Sequence, residues 1–224
     1  GKVGLELQYN NLLLNISENT PIGEIKNIVL PSTEGNTLKL SLDHHLQNFS
    51  RGQMKGKKGA VVLMNPRTGE IYSMVSMPDF DTSRLKEDWN DIMEDKDSPF
   101  LNRATSGLYI PGSAFKVVTA AALIDSPHID KEYTCTGTAK IHGYILKDYD
   151  EKGHGKINLE EALVKSCNTY FAEKGLEVGK DKLGEVMDRF MINENIPFDL
   201  ASKKSTFPHR DKLGQTDIAT AAIG

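Results

Sequence analysis

The rhythm of hydrophobic positions changes several times along the chain, and each change predicts an element. Leu5, Tyr9, Leu12 and Leu13 recur at helical spacing and predict a short helix over 5–14. From there to Asn36 the chain is polar, with Pro21, Gly23, Pro31 and Gly35, which predicts irregular connections. Leu38, Leu40 and Leu42 alternate with polar residues as a half-buried strand does, and Asp43 is placed to cap a helix running to about Met54. Two dense apolar runs, GAVVLMN and EIYSMVSM, flank Pro66-Arg67-Thr68-Gly69. Proline presets φ at the second turn position and glycine frees the backbone at the exit, so the runs predict a β-hairpin with at least one face buried against helices. Residues 79–107 read as a polar, aromatic-poor surface excursion outside the core, acidic from 87 to 97.

After Pro111-Gly112 the pattern turns apolar nearly all round, SAFKVVTAAALID, which predicts a helix packed on several sides. Residues 126–157 return to turns and short strands. Asn158 followed three positions later by Glu161 marks the start of a helix over NLEEALVK, with Ser166 to Asn168 lying where it ends. Leu183, Val186, Met187 and Phe190 fall at i, i+3, i+4 and i+7 and predict another amphipathic helix.

Composition narrows the partners. A length of 224 residues suits one main core with a small appendage, and no apolar run approaches the length of a membrane span. The net charge of −4 leaves no positive field for nucleic acid or anionic lipid, and Lys55, Lys57 and Lys58 among glycines read as a solvated loop. The acidic run from Glu87 to Asp97 reads as a solvated face. The two cysteines, Cys135 and Cys167, are too few for a disulfide framework and are not spaced as a metal site. Cys167 reads as a small buried thiol, with pairing to Cys135 left open. The six histidines show no ligand spacing, so neither a metal nor another cofactor is expected. Gly1-Lys2-Val3-Gly4 carries no leader pattern, and the abrupt ends suggest an excised piece.

Chemistry concentrates in two short constellations. Ser113-Ala114-Phe115-Lys116 sets a hydroxyl at the mouth of the buried helix and an amine one turn later on the same face. A lysine in an apolar setting has its pKa pushed down, which suits it to take the proton of a serine that is otherwise a weak nucleophile. The helix N-terminus adds free N–H groups that would favour an oxyanion. Ser166-Cys167-Asn168 sets a hydroxyl and a carboxamide two residues apart at a helix junction. Each has a decoy, Ser83-Arg84-Leu85-Lys86 and Ser17-Glu18-Asn19, and each has a plain alternative in which the serines and asparagine only cap helices.

Asn102-Arg103-Ala104 followed by Tyr109-Ile110-Pro111-Gly112-Ser113-Ala114-Phe115-Lys116-Val117-Val118-Thr119 resembles the nucleophile region of penicillin-binding proteins, above all the monofunctional class B transpeptidases. Gly4-Leu5-Glu6 with Tyr9-Asn10, Pro66 to Glu70, and His154-Gly155 through Ser166-Cys167-Asn168-Thr169-Tyr170-Phe171 resemble further segments of that domain in order. The resemblance implies that Ser113 attacks the D-alanyl-D-alanine end of a peptidoglycan stem peptide, with Lys116 as base. Ser166 would pass the proton toward the leaving D-alanine, and Asn168 would bind the donor's acyl amide. The Ser113 backbone N–H would form half of the oxyanion hole, and β-lactams would be trapped as acyl adducts.

The family's third motif, Lys-Thr/Ser-Gly, is not found after Asn168. Lys182-Leu183-Gly184 and Lys212-Leu213-Gly214 keep the outer residues, but leucine has no hydroxyl to offer, and both read as helix or turn punctuation. The chain by itself is therefore expected to be nearly inactive. The implied fold is α/β, an antiparallel sheet flanked by helices, incomplete at the C-terminus, with residues 1–36 ending a non-catalytic pedestal and 37–224 opening the transpeptidase domain. The resemblance further implies an anchor outside these residues, the extracytoplasmic face of the plasma membrane, and a lipid-linked glycan polymerase as partner. The rivals are a serine β-lactamase or β-lactam sensor, and a non-catalytic cell-wall scaffold.

Overall fold

The computed structural model describes residues 4–15, 35–126, 132–208 and 210–224. Its chain divides into two units: Gly1–Leu108 with Pro197–Lys203, and Tyr109–Ile196 with Lys204–Gly224.

In the first unit, the single short helix expected from the leucine spacing is two, α1 (Gly4–Gln8) and α2 (Asn10–Leu13), separated at Tyr9. The irregular stretch expected beyond them falls largely outside the described residues. The Asp43 carboxylate accepts the Leu46 N–H and caps α3 (His44–Gln53), as expected. Strands β1 (Gly59–Met64) and β2 (Ile71–Met77) pair antiparallel, with Val61 opposite Val75 and a register shift after Leu63. The turn closes through the Gly69 N–H donating to Asn65 O, with Gly69 at φ +77°. Burial is one-sided and narrow: Ser73 and Val75 of β2 are buried, while Val62, Leu63 and Met64 of β1 stay exposed.

The strand expected over Leu38, Leu40 and Leu42 does not form. Its neighbourhood instead seals the outer edge of β2. Ser41 Oγ donates to Ile71 O, the Asp43 N–H to Tyr72 O, and the Gln47 carboxamide holds both the N–H and the C=O of Met74. Two side chains and one backbone N–H thus satisfy an edge that a ladder would otherwise take. The 79–107 excursion is more structured than its polarity suggested. Helices α4 (Trp89–Glu94) and α5 (Arg103–Ser106) lie in it, and Phe100 packs on both Phe80 and Trp89 at centroid distances of 4.8 and 5.0 Å. Arg103 is buried because its guanidinium donates to the carbonyls of Asp97, Ser98 and Leu101.

The second unit is built round α6 (Lys116–Ile124), entered through a 3-10 turn over Gly112–Phe115. Val118, Thr119, Ala120, Ala122 and Leu123 are buried, whereas Val117 and Ile124 are exposed, so the helix is enclosed on most of its circumference but not all. Short antiparallel ribbons follow: β3 (Tyr133–Cys135) with β6 (Gly155–Ile157), and β4 (Thr138–Ile141) with β5 (Tyr144–Lys147). Among the described residues the antiparallel structure is thus three two-stranded pairs rather than one continuous sheet.

Asn158 and Glu161 close the expected capping box on α7 (Leu159–Val164). Helix α8 (Asn168–Arg189) carries Leu183, Val186 and Met187 into the core beside Phe115, Val118 and Ala122, while Phe190 at its end is half exposed. Gly179, at φ 80° and ψ 165°, breaks it, a kink the spacing did not announce. Lys182-Leu183-Gly184 lies within α8, and Lys212-Leu213-Gly214 lies at a 3-10 turn before α9 (Gln215–Ile223). A second cluster joins Ala120 and Leu123 to Cys135, Ile157, Cys167, Tyr170 and Phe171. Each large apolar side chain fully buried there contributes about 1.5–3 kcal/mol relative to exposure.

Candidate active site

The 3-10 turn explains why the first constellation works as a pair. In that tighter helix residues three apart eclipse one another, so Ser113 and Lys116 stack on one line. Ser113 is exposed, and Lys116, at 1% exposure, is almost wholly buried. The Lys116 Nζ lies 3.2 Å from Ser113 Oγ.

The second constellation arrives by a different local rule. Helix α7 ends in a Schellman arrangement, with the Ser166 N–H donating to Leu163 O and the Cys167 N–H to Ala162 O. That motif demands a left-handed residue, and Ser166 supplies it at φ +54° where glycine is usual. Cys167 then caps α8, its Sγ accepting the Tyr170 N–H at 3.4 Å, and Asn168 opens the helix. The reversal delivers Ser166 and Asn168 together to Lys116. Nζ donates to Ser166 O and Asn168 Oδ1, both at 2.6 Å, and lies 2.9 Å from Ser166 Oγ. All four residues singled out in the sequence therefore meet at one nitrogen. The decoy Ser83 is bound to Asp81, away from any lysine contact described, and Ser17 lies outside the described residues.

The surroundings shift the Lys116 amine toward its neutral form. Burial pushes the Lys116 pKa below its ordinary value, and the charges of Asp148 and Cys167 oppose that shift without cancelling it. A neutral amine can give its two N–H groups to the acceptors Ser166 O and Asn168 Oδ1 and take a hydroxyl proton on its lone pair. An amine so placed can deprotonate Ser113, and the Ser166 hydroxyl offers a second path for that proton.

Behind the junction the fold makes a gathering that residue spacing did not reveal. Cys135, Asp148, His154 and Cys167 bring one ligand atom each within 4.8 Å of one another. Residue spacing suggested no common site for the cysteines and histidines, whereas pairing of β3 with β6 brings residues twenty and more positions apart side by side. Cys135 and Cys167 are free thiols, and both are buried as expected for Cys167. Burial, followed by the hydrogen bond to Asp148, pushes the Cys167 thiol up to about 12. Burial alone would raise the Asp148 carboxyl, but hydrogen bonds from Cys167 and from the backbone N–H groups of Tyr149, Asn168 and Thr169 hold it below the usual range. Donors of this mixture suit a borderline-soft divalent cation rather than magnesium or calcium.

A groove of about 650 Å³ in the same unit, lined by Ala120, Ile124, Ile157, Leu159 and Leu163 among others, includes none of Ser113, Lys116, Ser166 and Asn168.

Comparison with known proteins bears on both the fold and the chemistry. The family model described as the penicillin-binding protein transpeptidase domain matches residues 59–224. The peptidoglycan D,D-transpeptidase MrdA of Acinetobacter baumannii is 32% identical over 219 residues, covering 91% of this chain and 33% of that protein. The penicillin G acyl-enzyme of penicillin-binding protein A from Mycobacterium tuberculosis superposes with a TM-score of 0.84 at 28% identity, over 99% of this chain and 55% of that one. A penicillin-binding protein of Helicobacter pylori, solved in complex with MreC, superposes at 0.83 and 25% identity over all of this chain and 46% of its own. The chain spans about a third of the length of the curated relatives it matches. Its mixed helical and antiparallel architecture is that of these neighbours.

Proposed function

Because the chain belongs to the penicillin-binding protein transpeptidase family, we propose that it is the nucleophile-bearing part of a serine D,D-transpeptidase that crosslinks peptidoglycan stem peptides. The observation that carries the reading is the buried Lys116 amine within hydrogen-bond reach of Ser113, Ser166 and Asn168. Lys116 takes the Ser113 proton as Oγ attacks the carbonyl of the penultimate D-alanine. The Ser113 N–H supports the oxyanion of the tetrahedral intermediate, and collapse breaks the peptide bond. Ser166 hands the proton on to the departing D-alanine amine. An amine of a second strand then attacks the ester, the same groups accept its proton, and Ser113 is freed. Asn168 orients the donor through the amide of its acyl side chain. No cofactor enters these steps.

The relatives support the wider setting. One is solved as a penicillin acyl-enzyme and another bound to MreC, so β-lactams and a protein partner are assigned to this chain by kinship. A lipid-linked glycan polymerase is proposed as a further partner. Among the described residues no helix is long and apolar enough to cross a membrane. The proposed location is the extracytoplasmic face of the bacterial plasma membrane, held by an anchor elsewhere in the polypeptide. Residues 1–36 are assigned to the end of a non-catalytic pedestal and 37–224 to the transpeptidase domain.

The test is labelling, with a fluorescent penicillin, of a polypeptide in which these residues are followed by a Lys-Thr/Ser-Gly segment. The adduct is expected on Ser113, absent from Ser113→Ala, and long-lived. Fast release of hydrolysed drug would favour a β-lactamase, and no adduct at all a scaffold.

A further inference from the structure

The oxyanion donor assigned to Ser113 sits near the start of a turn that needs outside support. A 3-10 run of four residues, Gly112–Phe115, is about as long as that helix type sustains, and its hydrogen bonds are poorly aligned. The far end of the turn is fixed, since Phe115 is buried beside Val118 and Leu183 and stacks on Phe207. The near end is a glycine at φ +54°, and without a side chain it leaves the peptide plane that follows it free to turn. That plane carries the Gly112 C=O on one edge and the Ser113 N–H on the other. Because the plane is rigid, whatever holds the oxygen aims the hydrogen.

We propose that the C-terminal end of α9 is that hold: Gly224 abuts the Gly112 carbonyl, Thr119 fastens α9 to α6, and together they position the Ser113 N–H for the oxyanion. The inference rests on the transpeptidase reading and adds to it two positioning residues, which act through Gly112 rather than on the substrate.

Helix α9 is seated firmly enough to serve. Ile218, Ala219 and Ala222 are buried, and Ala222 lies against Gly175 of α8. A helix leaves its last four carbonyls without partners inside the helix. Here Ala221 O takes the Gly224 N–H at 3.1 Å, and Ala222 O takes the Thr119 hydroxyl at 2.8 Å. Thr119 is fully buried in α6, one turn beyond Lys116. A helical threonine commonly bonds back to the carbonyl four residues earlier, which for Thr119 is that of Phe115. Its one hydroxyl proton goes to α9 instead, so the helix that carries the base is tied to the helix end that meets the nucleophile's turn.

The contact at Gly224 leaves no room for a side chain. Gly224 has φ +98°, and a side-chain carbon on it would overlap the oxygen and carbon of the Gly112 carbonyl. A larger residue there has to push that carbonyl aside, and the Ser113 N–H swings with it.

The test uses a polypeptide in which these residues are followed by a Lys-Thr/Ser-Gly segment, acylated by penicillin G so that the non-covalent dissociation constant and the acylation rate constant are resolved. Gly224→Ala should slow acylation by about 10²-fold, the scale of a lost oxyanion donor, and leave the dissociation constant within about twofold. Thr119→Val, which keeps the shape and deletes the hydroxyl, should slow acylation by about tenfold to 10²-fold in the same way, and Thr119→Ser should restore it. The infrared band of the acyl-ester carbonyl should move to higher wavenumber in Gly224→Ala and Thr119→Val, because a carbonyl with weaker hydrogen bonds is stiffer. Amide exchange across 112–116 should rise by about tenfold or more in both. Should Thr119→Val fail to fold, Gly224→Ala, placed beyond the last residue of α9, carries the test.

Gly224→Ala acylated at the unaltered rate with an unmoved carbonyl band overturns the proposal. So does a loss shared equally by rate and dissociation constant with the band unmoved, which marks general loosening of the fold. An unaltered polypeptide that forms no adduct sinks the transpeptidase reading instead. Exchange at 112–116 then decides the hold on its own, and unchanged exchange in Gly224→Ala overturns it.

Discussion

Ser166 holds a left-handed backbone at a helix end where glycine would sit without strain, and its hydroxyl is 2.9 Å from the Lys116 amine. Relief of that conformation is worth about 1–2 kcal/mol, against roughly 0.5–1 kcal/mol of extra chain entropy that glycine loses on folding. Ser166→Gly is therefore expected to raise stability by about 0.5–1 kcal/mol in denaturant unfolding. The same change should slow penicillin acylation by about 10²-fold or more, the usual scale of a lost proton-transfer group. A variant both less stable and fully active would deny Ser166 this role. Lys116 makes a second prediction at this scale. Its pKa is lowered by burial despite Asp148 and Cys167, so acylation should climb with pH and level off at a midpoint below the ordinary 10.5. Stability should rise through the same interval, because the unfolded chain binds the proton more tightly there. A rate profile with its midpoint at or above 10.5 would contradict the burial argument.

Among elements, α6, α8 and α9 meet closely enough that single methyl groups decide the fit. A side-chain carbon on Gly175 of α8 would collide with the Ala222 side chain of α9, while Thr119 of α6 donates to the Ala222 carbonyl at 2.8 Å. Gly175→Ala should thus cost about 1–3 kcal/mol by overpacking. Adding Ala222→Gly should recover most of it, and a double-mutant cycle from unfolding curves with no coupling would refute the contact. The elements also mark what the chain's pattern could and could not reveal. The hairpin, the Asp43 cap and the Asn158–Glu161 box were legible because their signals act within a few residues. Ser113 with Lys116 was legible for the same reason, and Ser166 with Asn168 too. The Cys135, Asp148, His154 and Cys167 gathering was not, because strand pairing and not spacing assembles it. Leu38, Leu40 and Leu42 misled because alternation predicts a half-buried face, whereas here polar side chains seal the neighbouring edge. Arg103 was hidden because only the fold brings three carbonyls round its guanidinium.

For the molecule as a whole, Ser113, Lys116, Ser166 and Asn168 and the gathering of Cys135, Asp148, His154 and Cys167 belong to one of the two units, the one formed by Tyr109–Ile196 with Lys204–Gly224. In the proposed mechanism that unit supplies nucleophile, base, proton path and one oxyanion donor. What these 224 residues do not contain is a lysine followed by threonine or serine and then glycine, the group expected to bind a substrate carboxylate through a hydroxyl. Loss of a single oxyanion donor costs about 10²–10³ in rate, and loss of the carboxylate contact adds to it. The 224-residue chain should therefore be acylated by a fluorescent penicillin at least about 10²-fold more slowly than a longer polypeptide in which a Lys-Thr/Ser-Gly segment follows these residues. The comparison has force only if the chain is folded, which a cooperative thermal transition would establish independently of activity. Equal labelling rates from a folded chain would mean that the groups around Lys116 suffice for acylation by themselves, and the part assigned to the third motif would have to be withdrawn.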